Sequence, residues 1–470
     1  MNDILPSSVR TPLGRRNLLK AGSLAGLGIG ATSLLSACSD AAAQEEANLY
    51  KRGPIKLDLD NAENPFGVDG AVPLDVTIFK GGYSDEYATE GHQVLYRNKF
   101  PEAEIIHVGT EQISEVVRPR FRSYSPPDIL MNAGGERMEM DQLVRDGELT
   151  DLSVLLQAPS VDDPGITVGE TLREGVVEAG QVGSGKEVWG LPYDFAGYGV
   201  WYSQTLFQQN GWTVPTTWTE FMALCAEIKS SGMAPWTYQG KFPYYMLDPI
   251  ITLAVRHGGR DVMTRFEEDW GSGAWSDDSV EMAVESWAEF VSAGYVLEGT
   301  SSMTHLDAQD AWLQGEAAFI PCGSWLENEE KDDVPADFEM GFLPIPALEG
   351  SAAPDLVQGT PGEHYVVPKY ANNPAGALEY LRIMLSAAGT TAWANHTSSL
   401  NVVRGVSFET DRPGVSALRP YLEDDKNLYK NTMEVEHGTF VQQTLFPEIN
   451  ALMRGDRTAS QFLSNVKRAL

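Results

Sequence analysis

Between residues 74 and 131 the chain alternates short apolar runs with longer mixed stretches. Val76-Thr77-Ile78-Phe79, Glu104–Val108 and Asp128-Ile129-Leu130-Met131 read as buried strands. A helical stretch near His92–Phe100 separates the first two, and another leads to the third. Strands alternating with helices predict a parallel sheet with right-handed crossovers. Ligands of such sheets lie beyond the carboxyl ends of the strands. That places Tyr83, Asp85, Asn132 and Glu136 on the side where a site would form.

A second pattern opens at Trp189-Gly190-Leu191-Pro192-Tyr193-Asp194, followed by Val200-Trp201-Tyr202. Thr217-Trp218-Thr219-Glu220 is a capping box, with the glutamate three residues after the threonine, and predicts a helix start. The helix it opens carries the apolar face Phe221, Leu224, Cys225, Ile228. Val280, Ala283, Val284, Trp287, Phe290 and Val291 recur at helical spacing, as do Ala377, Leu381, Met384 and Leu385. No fixed period recurs, which argues against solenoids and propellers. All eleven tryptophans lie at or beyond residue 189, a shift that suggests two lobes with different cores meeting near there.

The ends change the picture. Arg15-Arg16-Asn17-Leu18-Leu19-Lys20 precedes an uncharged, glycine-rich stretch from Ala21 to Ala37, and Leu35-Ser36-Ala37-Cys38 follows its apolar part. A charged region, an apolar region and small residues before a cut site describe an export signal. The paired arginines resemble a twin-arginine signal, and the tetrapeptide resembles a lipobox, whose cysteine is cut and diacylated. Seventeen weakly apolar residues are too short to span a bilayer stably. Residues 1–37 are expected as export signal, with Cys38 lipidated and residues 38–71 a flexible polar tether. The protein is expected outside the cytoplasm, anchored by lipid to the outer face of the cell membrane.

The signal holds four basic residues against Asp3, so removing it takes the formal charge from −32 to −35. A body this acidic repels phosphate backbones and anionic membrane surfaces, which argues against a nucleic-acid partner. Apart from Cys38 only Cys225 and Cys322 remain; an extracytoplasmic site would permit a bridge between them, and two buried free thiols are the favoured reading.

Gly180-Gln181-Val182-Gly183-Ser184-Gly185-Lys186 has the glycine spacing of a phosphate-binding loop. Glu187 stands where Ser or Thr must hold magnesium, so the segment reads as a flexible turn. The seven histidines are scattered without metal-ligand spacing, and no metal or cofactor is expected.

Ala308-Gln309-Asp310-Ala311-Trp312-Leu313-Gln314-Gly315-Glu316-Ala317-Ala318-Phe319 resembles the signature of bacterial carbohydrate-binding proteins of ABC importers. Trp312 stands where that family usually has phenylalanine, and Phe319 where methionine is common. Gly190–Tyr193, Pro215–Glu220, Gly323-Ser324-Trp325 and Gly359–His364 resemble further family segments; Ser399-Leu400-Asn401-Val402 departs from one in having Asn401 for proline. The loop Lys80–Tyr87, Met131–Gly135 and Pro243–Asp248 are most similar to the type that binds N-acetylglucosamine and N,N'-diacetylchitobiose. The resemblance implies an α/β fold of two lobes, periplasmic-binding-protein-like, each a mixed, mainly parallel sheet flanked by helices with the ligand cleft between. It places lobe one at 72–192 and 337–388, and lobe two at 195–333 and 389–470. It implies a mono- or oligosaccharide ligand, the permease subunits of an ABC importer as partners, and no catalysis. A maltose- or xylose-type ligand, or an exported glycoside hydrolase, are the alternatives.

A sugar offers hydroxyls that need paired donors and acceptors, and a C–H face that packs on a flat ring. Clusters of that kind occur at predicted loop positions: at Pro235–Lys241, at Tyr244-Tyr245 and at Trp325-Leu326-Glu327-Asn328. Trp236, Tyr238, Lys241, Tyr244, Trp325 and Glu327 are therefore candidate ligand residues. Asp194, Glu363 and His364 flank presumptive crossings and join them as cleft or hinge groups. Trp218, Trp287 and Trp312 have apolar helical neighbours and are assigned to the core. Trp325 and Glu327, two apart in an extended reading, are expected to face the sugar together.

Overall fold

The computed structural model describes residues 55–470, apart from residues 174, 184, 269, 363, 407–409 and 424. The export signal, Cys38 and the first part of the expected tether lie outside the described residues, as does Glu363.

Strands β1 (Leu74–Phe79), β2 (Ile105–Thr110), β3 (Ile129–Asn132) and β4 (Leu191–Pro192) come first in the chain. Then come β5 (Phe195–Ser203), β6 (Ala234–Trp236), β7 (Ala317–Gly323), β8 (Met340–Leu343) and β9 (Val357–Pro361). The last are β10 (His364–Val366) and β11 (Leu428–Tyr429). They build two mixed sheets flanked by helices. The first runs β2-β1-β3-β10-β4, and the second β11-β9-β5-β7-β6 with β8 also on β5.

In the first sheet β1 is parallel to both neighbours, with Val76 opposite His107 on one side and Ile129 on the other. Strand β10 enters antiparallel to β3. The second sheet is organised around β5, which is antiparallel to β7, β8 and β9. Every residue of β5 except Tyr198 is buried, so its run of apolar residues is that of a strand covered on both faces.

Each sheet has its own core. Leu74, Val76 and Ile78 pack with Tyr380, Leu381, Met384 and Trp393 in the first. Trp218, Trp236, Trp287 and Phe290 pack with Phe319 in the second. Trp312 is buried in a third cluster beside Trp201. The capping box forms as read, with Glu220 N–H donating to Thr217 Oγ1 at 3.2 Å at the start of helix Trp218–Ser230. Cys225 and Cys322 are free and buried. The glycine-rich segment closes as a turn, with Gln181 bridged antiparallel to Val188.

The sheets divide the chain differently from the expected lobe boundaries. Strands β8 and β9, assigned to lobe one by the boundary at 337, belong to the second sheet because β5 offers them its edge bonds. The second crossing therefore falls at 361–364, between β9 and β10, and not at 333–338. Nor does the chain leave the first side at 388: Trp393 is fully buried in the first core, Leu400 touches the second side, Val402 and Val403 are back in the first core, and Val415 lies on the second side. Residues 55–71 are not free tether. Phe66 and Val68 are buried on the first core, and Asn64 Oδ1 accepts from Val68 N–H at 2.8 Å.

Candidate ligand-binding site

The crossings lie side by side and form a narrow hinge. Asp194 is bridged to Asn401, and its carbonyl accepts from Gly362 N–H at 2.8 Å. A Cβ on Gly362 would come within 2.3 Å of the Asp194 carboxylate, so any larger residue there would have to displace that side chain. Away from the hinge the sheets enclose a cavity of about 360 Å³. Tyr83, Asn132, Glu136, Asp194, Tyr244, Trp325 and His364 line it.

Trp325 follows the Gly323-Ser324 turn at the end of β7. Its half-buried indole folds back over Gly323 and lies against Gly82 of the opposite loop; a Cβ on either glycine would collide with the ring. Tyr198 meets it edge-on at 5.2 Å, and Tyr245 at 6.3 Å. Tyr244 stacks on Tyr245 at 4.2 Å with 27° between planes. These rings form one aromatic wall, with the pieces that a sugar C–H face needs.

Neighbouring residues hold the two sides together. Tyr83 Oη and Ser324 Oγ are 3.2 Å apart, and Asn328 Nδ2 donates to Gly82 O at 2.6 Å. On another side, Arg137 pairs with Glu434 at 2.9 Å. Burial, then the nearby Asp194 carboxylate, raises the Tyr83 phenol well above its ordinary value. His364 is held below its ordinary value by burial, with Nε2 2.8 Å from Ala179 O. Asn132 shapes the wall: its amide bonds Met138 N–H at 2.9 Å and Met138 O at 2.8 Å, closing the loop after β3.

Five expected site residues are elsewhere. Asp85 binds Lys80 at 2.8 Å and His107 at 3.0 Å. Burial raises its carboxyl, but these two partners outweigh that and hold it below the ordinary value. Trp236 is fully buried in β6, donating to Met246 Sδ at 3.3 Å. Tyr238 is fully buried with its hydroxyl on Asn450 Oδ1 at 3.0 Å. Lys241 is exposed and does not line the cavity. Glu327 points away from it, because Leu326–Glu329 is a helical turn and positions two apart in a helix diverge by roughly 200°. Its carboxylate accepts from Val415 N–H at 2.8 Å and Gly414 N–H at 3.3 Å, capping helix Pro413–Glu423.

Among the described residues no group of three or more His, Cys, Asp or Glu is placed to hold a metal ion, and no helix is long and apolar enough to cross a membrane.

The family described as bacterial extracellular solute-binding protein matches residues 96–391. The chain belongs to that family. The diacetylchitobiose binding protein NgcE of Streptomyces coelicolor is 30% identical to this solute-binding protein over 410 residues, 86% of this chain and 84% of that one. An uncharacterized ABC transporter extracellular-binding protein of Pyrococcus horikoshii is 27% identical over 58% of this chain and 59% of its own. Two solved structures share the fold. A chitin oligosaccharide binding protein has TM-score 0.65 and 21% identity, covering 82% of this chain and 93% of its own. The bacterial solute receptor AcbH has TM-score 0.70 and 17% identity, covering 85% and 98%.

The solute-binding protein's cavity also holds residues outside the expected set, Tyr198, Asp248, Gln358 and Asn431 among them, together with Tyr245 of the cluster noted in the sequence. Tyr244, Tyr245 and Asp248 share a face of helix Tyr244–Gly258, at three- and four-residue spacing. That spacing was visible in the segment Pro243–Asp248, which read as a loop. Burial raises the Asp248 carboxyl to about 7, with hydrogen bonds from Gln358 and Asn431 opposing and the Glu434 charge adding. Gln358 and Asn431 come from β9 and from just past β11, and nothing local in the sequence marks them.

Proposed function

We propose that this solute-binding protein captures N-acetylglucosamine or N,N'-diacetylchitobiose between its two sheets and delivers it to the permease of an ABC importer. The observation that carries the reading is the aromatic wall of Trp325, Tyr198, Tyr244 and Tyr245 facing carboxylates and amides across one enclosed cavity. The similarity to a diacetylchitobiose binding protein supports the choice of sugar. The protein carries the sugar without cutting it. Export proceeds by a twin-arginine signal, and a lipid on Cys38 holds the protein at the outer face of the membrane.

A ligand that binds only the folded state raises the melting temperature. A thermal-shift screen of N-acetylglucosamine, diacetylchitobiose, maltose and xylobiose should therefore move only with the N-acetylated sugars. Prolonged incubation with diacetylchitobiose should release no monosaccharide. Cys38→Ala should leave the membrane fraction.

A further inference from the structure

Asp248 is 7% exposed and lines the cavity. Its Oδ1 accepts two amide N–H groups, from Gln358 Nε2 at 3.0 Å and Asn431 Nδ2 at 3.1 Å. The Gln358 amide is fixed in that orientation because its own oxygen accepts from Tyr429 Oη at 3.0 Å, which in turn lies 2.6 Å from Thr252 Oγ1. Among the described residues no hydrogen bond is made by Asp248 Oδ2. Asp248 also lines a niche of about 10 Å³, whose other walls include Tyr198, Tyr245, Thr252, Cys322 and Ile345. That is room for one water-sized or methyl-sized group.

Oδ2 still meets solvent in the cavity; a ligand that covers it must bring a donor, because a buried acceptor without one is costly. An acetamido group supplies an N–H donor with a methyl close by, whereas a sugar hydroxyl supplies no methyl. Resting on the N-acetyl sugar reading above, we infer that ionised Asp248 accepts the ligand's acetamido N–H on Oδ2, with the acetyl methyl directed to the niche. Asp248 is then the residue that separates an N-acetyl sugar from its 2-hydroxyl analogue.

Asp248→Asn tests this with little change in shape. Gln358 and Asn431 both donate, so they turn the new side-chain oxygen toward themselves and leave its NH₂ toward the ligand. Two N–H groups then oppose each other. A hydroxyl escapes this by accepting instead. Competition calorimetry above pH 8, where the carboxyl is ionised, should show diacetylchitobiose weakened about 10- to 100-fold, and cellobiose, its 2-hydroxyl analogue, changed less than about threefold. Equal loss of both sugars, or loss of neither, overturns the assignment while leaving the sugar class standing. Wild-type protein that binds no N-acetyl sugar overturns both readings. A ligand-side measurement covers a variant that fails to fold. The disaccharide carrying 2-O-acetyl esters keeps carbonyl and methyl but lacks the N–H, and wild type should bind it at least about tenfold more weakly than the amide. Equal affinity for ester and amide would overturn the assignment.

Discussion

Replacing Trp325 with alanine removes the centre of the aromatic wall. The indole is half-buried: one part lies on Gly82 and Gly323, and its edge contacts Tyr198 at 5.2 Å. Burying a large apolar side chain is worth roughly 1.5–3 kcal/mol. Most of that contact is realised only when the ligand covers the ring, and each ~1.4 kcal/mol is tenfold in affinity. Trp325→Ala should therefore weaken sugar binding about 10- to 100-fold. The ring is also a peripheral neighbour of a buried cluster, so some loss of melting temperature is expected, by at most a few degrees for a chain this long. Calorimetric titration beside a thermal melt separates the two effects. A variant that melts several degrees lower yet binds with normal affinity would return Trp325 to the core and refute the reasoning.

Glu327→Gln should do the reverse, because the carboxylate caps helix Pro413–Glu423 and does not face the cavity. It should cost about 1 kcal/mol of stability in a denaturant titration with Kd unchanged; a weakened Kd would place it in the site after all. Asp248 gives a pH signature, since its folded pKa of about 7 lies above the ordinary carboxylate value near 4. The folded protein keeps a proton that the unfolded chain loses, so this contribution to stability is complete below about pH 4 and is lost as pH rises through about 7. Asp248→Asn cannot titrate, so the melting temperature of wild type minus that of the variant should fall between pH 5 and pH 8; a constant difference would contradict the burial argument. Arg137→Ala removes the ion pair to Glu434 that ties the two sides of the cavity. Small-angle scattering of the sugar-free variant should give a larger radius of gyration than wild type, and an unchanged radius would mean that the pair does not restrain opening.

Local signals in the sequence identified what depends on neighbours in the chain. The capping box at Thr217 and the Gly323-Ser324 turn before Trp325 rest on residues a few positions apart, and β1 was legible from its own run of apolar residues. The same reasoning misplaced Trp236 and Tyr238. Pro235 read as a loop marker, but β6 is the edge strand of its sheet, where proline is tolerated and the next residue can be buried. Glu327 was misplaced by an extended reading of a segment that turns into helix. The network at Asp248 was not legible, because Gln358 is 110 residues away and Asn431 183. The lobe boundaries were missed for a related reason. Strand β8 looks the same whether it pairs with β3 or β5, and only tertiary pairing decides.

The central claim is that the cavity between the sheets takes an N-acetylated glucose unit. Isothermal titration of the mature protein with N,N'-diacetylchitobiose, beside maltose and xylobiose at equal concentration, tests it most directly. The account predicts saturable one-to-one binding of diacetylchitobiose, at least about tenfold tighter than either other sugar. Saturable binding of maltose or xylobiose with none of diacetylchitobiose would contradict it.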